Sequence, residues 1–174
     1  VGGGLVSNGH ILAGHRSNAG AIGSLPLGLA RATQRPPQLL QRASGWQLEQ
    51  TLERRGFDVQ LVHQDAIMGD RFVECVQPWL EQASQALAMT AVTSTALMDL
   101  DAVIIDGSLG RELINALISA TRERIGQYNL DGLMAPIVME GKVGAHARAL
   151  GGSLLPLHTQ FFPVKDIFLK EDLD

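Results

Sequence analysis

The sequence predicts an α/β fold: a mixed sheet that opens with an N-terminal hairpin and is covered by packed helices. Three observations predict it. Asn8-Gly9 lies between two short apolar runs, and these two residues tolerate the positive φ that a two-residue hairpin turn requires. The run Ala102-Val103-Ile104-Ile105 leads through Asp106-Gly107 into a helical stripe, and Pro136-Ile137-Val138-Met139 then leads into another. That order of strand, helix, strand, helix implies parallel pairing with a crossover helix. Between these parts, apolar residues recur at helical spacing from Asp70 to about Met98.

Taken in order, residues 2 to 14 read as a glycine stretch, a strand around Leu5 and Val6, the Asn8-Gly9 turn and a second strand through Ile11 and Leu12. His15 to Leu27 carries Gly20, Gly23 and Pro26 and reads as a loop of the kind that holds ligands. Arg31 to Gln38 contains Pro36-Pro37, which disfavours a helix. Ser44 with Gln47 resembles a capping box, and Trp46, Leu48 and Leu52 then give a short helix ending at Gly56.

The stretch from Asp70 places Phe72, Val76, Trp79, Leu80, Ala83 and Leu87 on one helical face, with Pro78 expected to bend or divide it. Ala102 to Ile105 is β-branched and apolar, a composition that predicts a strand buried on both faces. From about Gly110 to Gln127, Leu113, Ile114, Leu117 and Ile118 form a stripe that should face a sheet. After the strand at 136–139, Val143 to about Leu155 reads as a helix, and its Ala145, Ala149, Gly151 and Gly152 suit close packing. Phe161 to Asp174 is expected to dock as a strand or turn and then fray.

The chain has 174 residues, 45% of them hydrophobic and 18% charged, which suits one soluble domain or one lobe of a two-lobed protein. Net charge is −4 and the basic residues are scattered, Arg54-Arg55 being the densest pair, so this segment carries no footprint for a nucleic-acid backbone. The lone Cys75 can form neither an intrachain disulfide nor a cysteine zinc cluster, which points to a reducing compartment, the cytoplasm. No apolar run is long enough to span a membrane, and the N-terminus lacks the layout of a signal peptide. Val1 followed at once by Gly2, Gly3 and Gly4 reads as a start inside a glycine loop, hence as a single lobe, residues 1–174, of a longer protein.

Two segments carry candidate chemistry. Gly2-Gly3-Gly4 can bring bare backbone N–H groups against an anion. Asp106-Gly107-Ser108-Leu109-Gly110 joins the end of a strand to a helix, where open α/β sheets bind ligands, so Asp106, Gly107 and Ser108 are candidate nucleotide or phosphate contacts. With two glycines it matches neither the dinucleotide fingerprint nor the P-loop. Asp99 and Asp101 lie before the strand and Asp106 after it, so the three cannot share one ion. His10, His15, His63, His146 and His158 lack metal-ligand spacing, and no serine has a nucleophile-elbow setting.

The stretch Gly2 to Ile11, continued by Gly14 and by Asn18-Ala19-Gly20-Ala21-Ile22-Gly23-Ser24-Leu25-Pro26, resembles the signature of the ROK family of repressors, open reading frames and sugar kinases. Ala43-Ser44-Gly45, Val103 to Gly107, and Gly144 to Leu155 are similar to further parts of that family. The resemblance implies the C-terminal lobe of an actin-like ATPase, ribonuclease H-like fold. It implies a sugar loop at Asn18, Ala21 and Ser24 and a nucleotide or phosphate site at Gly2, Gly3, Gly4, Asp106, Gly107 and Ser108. Ala21 and Ser24 replace the glutamate and histidine with which family kinases hold sugar hydroxyls, and the zinc-binding cysteines are absent, so no zinc is expected. Asp106 stands where the kinases have glycine, a side chain expected to intrude on the nucleotide pocket and repel phosphates. The family's catalytic aspartate has no counterpart here.

The function expected is therefore the sugar-sensing, oligomerising lobe of a ROK-type transcription regulator, with DNA bound only through a region outside this chain. The alternative is a lobe of an ATP-dependent sugar kinase, with ATP and magnesium as cofactors of the full-length protein. A third reading is a nucleotide-binding or scaffold module with no link to sugars. Homo-oligomerisation is expected from the low charge and from Phe161, Phe162 and Phe168.

Overall fold

The computed structural model describes residues 1–161. The hairpin pairs β1 (Leu5–Ser7) with β2 (His10–Leu12), antiparallel, with Val6 opposite Ile11. Its turn has φ of 51° at Asn8 and 78° at Gly9, the two positive values expected of Asn-Gly. A long loop with one 3-10 turn, Ile22–Ser24, leads to two short helices, α1 (Leu40–Ala43) and α2 (Gly45–Arg54). Three 3-10 turns, Val59–His63, Asp65–Met68 and Asp70–Phe72, then feed α3 (Val73–Met98). The remainder is β3 (Ala102–Ile105), α4 (Arg111–Ile125), β4 (Ile137–Glu140), a 3-10 turn at Gly144–His146 and α5 (Ala147–Phe161).

Both kinds of strand pairing occur, among the described residues in two separate two-stranded sheets. β3 and β4 run parallel, with Val103 opposite Val138 and Ile104 opposite Met139, and α4 is the crossover between them. One face of this pair packs on the helices: Val138 is buried, and Val103 and Ile105 lie against Ile114 and Ile118 of α4 and Ala88 and Ala91 of α3. The expected burial of β3 on both faces is overturned, because Ile104 is 65% exposed and Ile137 61% exposed on the other side. Among the described residues helices cover only one side, so the β-branched composition describes an open apolar face there rather than a sandwiched one.

The main core lies where α1, α2, α3 and α4 meet. Leu39, Leu48, Leu52, Val62, Ile67, Trp79, Ala83, Leu113 and Leu117 are buried in one cluster. The stripe predicted on α4 faces inward, but it packs on α3 as well as on the strands. Pro78 neither divides nor ends α3. It lies just past the first turn, where the one amide it withholds would have met Glu74, so the ladder loses little.

Ser44 caps α2, its hydroxyl accepting from the Trp46 amide at 3.3 Å. The box is not completed by Gln47, whose side chain donates to the Gln41 carbonyl and accepts from Gln82 at 3.2 Å, tying α1 and α3 together. Trp79 on α3 donates its ring N–H to the Ser44 carbonyl at 2.9 Å, so the start of α2 is held from two sides.

The close packing expected of Ala145, Ala149, Gly151 and Gly152 does not occur among the described residues. All four are exposed, and a Cβ at either glycine would meet nothing within 4 Å. Leu150 and Leu154 are exposed on the same helix, one turn apart. The docked strand expected after Phe161, and the contacts assigned to Phe162 and Phe168, lie outside the described residues.

Candidate functional site

β3 ends at Ile105 and delivers Asp106 to the mouth of the parallel pair, where its carboxylate collects four donors. Oδ1 accepts from the Gly107 amide at 2.9 Å and from Arg111 Nη1 at 3.0 Å. Oδ2 accepts from the amides of Val143 and Gly144, each at 2.9 Å. Arg111, the first residue of α4, also donates to the Gly141 carbonyl at 2.5 Å and pairs with Glu140. One carboxylate and one guanidinium thus lock the ends of β3 and β4 to the start of α4 and to the turn before α5.

The fit is tight enough to dictate a neighbouring residue, since a Cβ on Gly141 would lie 2.4 Å from the Asp106 Cβ. Burial pushes the Asp106 carboxyl upward, but hydrogen bonds from Gly144, Gly107, Arg111 and Val143 outweigh it and hold the group at about 2, below its ordinary 3.8. The intruding side chain expected here is therefore folded onto the backbone, with its charge balanced by Arg111.

The loop from Gly107 to Gly110 is pinned by the 3-10 turns beneath it. The Gly110 amide donates to the Val62 carbonyl at 2.9 Å, and a Cβ on Gly110 would collide with the Gln64 carbonyl. Asp65 accepts from the Glu112 amide at 2.9 Å, which caps α4 from outside the helix. His63 Nδ1 lies 2.7 Å from the Ser108 carbonyl oxygen. A carbonyl can only accept, so Nδ1 is the donor in this contact.

The N-terminal glycines interlock with the loop that follows the hairpin. A Cβ on Gly3 would lie 2.6 Å from the Ile22 side chain, one on Gly20 would lie 2.7 Å from Gly4 Cα, and one on Gly23 would lie 2.6 Å from the Val1 carbonyl oxygen. Gly20 also has a φ of 78°. Here glycine serves backbone-to-backbone approach between residues 1–4 and 20–23.

These segments border one cleft of about 700 Å³. Gly2 and Ile22, the turn Asp106, Gly107 and Ser108 with His63 against it, and Trp46 and Glu49 of α2 all line it. The two glycine segments singled out in the sequence do converge. Gly3 and Gly4 do not line the cleft, and neither do Asn18, Ala21 and Ser24, which lie exposed on the adjoining loop. Trp46, Glu49 and His63 were missed. Trp46 lies two residues before Leu48, on the other side of the helix from Leu48, and is 63% exposed while Leu48 and Leu52 are fully buried. No lysine or arginine lines the cleft among the described residues, and no cluster of three or more His, Cys, Asp or Glu suitable for a metal occurs among them. Among the described residues no helix is long and apolar enough to cross a membrane.

A model of the ROK family matches residues 1–158. The chain is similar to a ROK hexokinase from Thermus thermophilus, with 24% identity and a TM-score of 0.59 over 88% of this chain and 52% of that one. It is also similar to a ROK family protein from Streptococcus pneumoniae TIGR4 solved in complex with sucrose, with 22% identity and a TM-score of 0.64 over 91% of this chain and 56% of that one. No curated protein matches. The chain spans about half the length of these solved structures, and the likeness shows their fold, the α/β, actin-like ATPase architecture. With the family model covering most of the chain, the protein belongs to the ROK family.

Proposed function

We propose that this chain is the ligand-sensing and assembly lobe of a ROK-family transcription regulator, with a sugar met by the loop at Asn18, Ala21 and Ser24 and DNA bound by a region outside it. The observation that carries this is the electrostatics of the cleft. Among the described residues its acidic side chains are Glu49 and Asp106 and no lysine or arginine lines it, and the amides of Gly107, Val143 and Gly144 are already taken by the Asp106 carboxylate.

Phosphoryl transfer depends on positive groups that stabilise charge on the phosphates, so a triphosphate with magnesium is a poor match for this lining. A sensor needs only a ligand that favours one arrangement of the protein over another. Sugar contact is assigned to the loop at Asn18, Ala21 and Ser24, which adjoins the cleft through Ile22. The exposed face of Ile104, Ile137 and Met139 supports assembly with a second copy or lobe.

The kinase reading keeps one observation in its favour: the interlocked glycines at 2–4 and 20–23 preserve a tight loop whose Gly2 lines the same cleft as Gly107 and Ser108. Assay of the full-length protein with magnesium, ATP and a panel of hexoses and N-acetylhexosamines separates the two. We expect no sugar-dependent ADP, and a sugar-dependent change in affinity for operator DNA. Sugar-dependent ADP formation would overturn the regulator reading.

A further inference from the structure

From the distribution of charge we infer that the segment from Pro26 to Gln38 is a docking arm, and that its partner is a second copy of this chain, met at the acidic corner where α3 turns into β3. All 18 acidic residues lie at or beyond Glu49, whereas Arg16, Arg31, Arg35 and Arg42 precede it. The arm is built as an irregular hairpin. Its base is closed by the Leu39 amide donating to the Leu25 carbonyl at 3.0 Å and the Leu27 amide to the Pro37 carbonyl at 2.8 Å. Its tip is closed by reciprocal backbone bonds between Arg31 and Gln34, at 3.1 and 3.2 Å. Leu39 is buried in the main core, which anchors the base, and Pro36-Pro37 fix φ on the returning side. Residues 28–35 are all exposed, Leu29 at 91%, and the side chains of Arg31 and Arg35 have no partner among the described residues.

The corner has the complementary make-up. α3 ends in exposed Leu97 and Met98, and exposed Asp99 and Asp101 follow, their carboxylates without a partner among the described residues. The Ile137 amide donates to the Asp101 carbonyl at 3.0 Å, so the corner adjoins the open apolar face of β3 and β4. Met134, three residues before Ile137, is exposed as well. Arg31, Arg35 and Leu29 on the arm thus match two free carboxylates set among Leu97, Met98 and Met134. Exposed ion pairs alone contribute little, so the apolar side chains supply affinity and the charges supply the choice of partner. In a two-fold pair the contact is made twice, arm to corner and corner to arm, which closes the assembly. The inference rests on the assembly role proposed above, names a contact for it, and does not depend on the ligand.

Sedimentation velocity of the complete protein reads the contact. Arg31→Glu with Arg35→Glu, or Asp99→Asn with Asp101→Lys, should each weaken self-association by about tenfold or more. Asparagine is chosen at 99 because the backbone there has a φ of 51°, which it tolerates. Mixing the two altered proteins in equal amounts should restore association, since altered arms then meet altered corners and native arms meet native corners. Leu29→Ser, which leaves every charge in place, should weaken association as well. The altered side chains are all exposed, and circular dichroism checks that each variant keeps its helices. Failure of the mixture to associate overturns the inference. Ile137→Lys disrupting association while the charge variants leave it intact overturns it too, but keeps the assembly role. Arm variants that sediment as wild type yet bind DNA more weakly assign the arm to phosphates and remove the second copy as its partner. A wild type that stays monomeric overturns both the inference and the assembly role.

Discussion

Replacing Asp106 by asparagine keeps the shape of the side chain but turns one of its two acceptor oxygens into a donor. Whichever way the amide is oriented, one pair of donors, either Gly107 and Arg111 or Val143 and Gly144, faces an N–H group where an oxygen stood. A hydrogen bond to a charged group contributes roughly 1.5–3 kcal/mol. The side chain retains 19% of its surface, so water recovers part of the loss, and about 2–3 kcal/mol of destabilisation is expected. For a chain of this length that lowers the thermal midpoint by roughly 5–10 °C.

The same contact predicts acid sensitivity. The carboxyl is held at about 2 in the folded chain against an ordinary 3.8, so its contribution is complete above the higher value and is lost as pH falls through the lower one. The amount is about 1–2 kcal/mol after allowance for solvent screening. Urea unfolding followed by circular dichroism, at neutral pH and at steps down to about pH 2, measures both effects. The wild type should lose stability in that acid window, and Asp106→Asn should be weaker at neutral pH and lack that portion of the slope. A variant with an unchanged midpoint and an unchanged acid profile would refute the role given to this carboxylate.

Other outcomes follow from the same structure. Gly141→Ala should destabilise by an amount that is not additive with Asp106→Asn in a double-mutant cycle, because its Cβ would strike Asp106. Asp65→Ala removes the external cap on α4 and should cost about 1 kcal/mol in urea unfolding, while Asp65→Asn should cost less. Leu117→Ala, in the core shared by α3 and α4, should cost about 2–5 kcal/mol. Substituting lysine for Ile137 or Met139 should leave the thermal midpoint within a few degrees and reduce self-association in sedimentation velocity. A wild-type chain that sediments as a monomer at high concentration contradicts the assembly role.

The parts of the fold legible in the sequence were those with strong local rules. Asn8-Gly9 wrote the hairpin, the spacing of Leu113, Ile114, Leu117 and Ile118 wrote α4, and the two short apolar runs wrote the parallel pair. The segment from Phe57 to Asp70 gave little signal, because 3-10 turns leave no long periodic pattern. Even so, Val62 and Ile67 are fully buried there, and His63 and Asp65 hold the site loop.

The candidate site was half legible. Gly2 and the turn at 106–108 marked two parts of the cleft lining, since their backbone requirements are local, whereas Gly3 and Gly4 lie outside it. The partners of Asp106 at Val143 and Gly144 come from the far side of the crossover, so its use as a clamp could not be read from spacing. Trp46 was read as one more apolar helix position, although it follows Ser44 and Gly45 too closely to share the stripe of Leu48 and Leu52. At 100° per residue, Trp46 and Leu48 lie on nearly opposite faces.

The most direct test is calorimetric titration of the complete protein with sugars and, separately, with ATP and magnesium. The account predicts heat of binding with a sugar and none with the nucleotide. Saturable nucleotide binding, with no sugar bound under any condition, would contradict it.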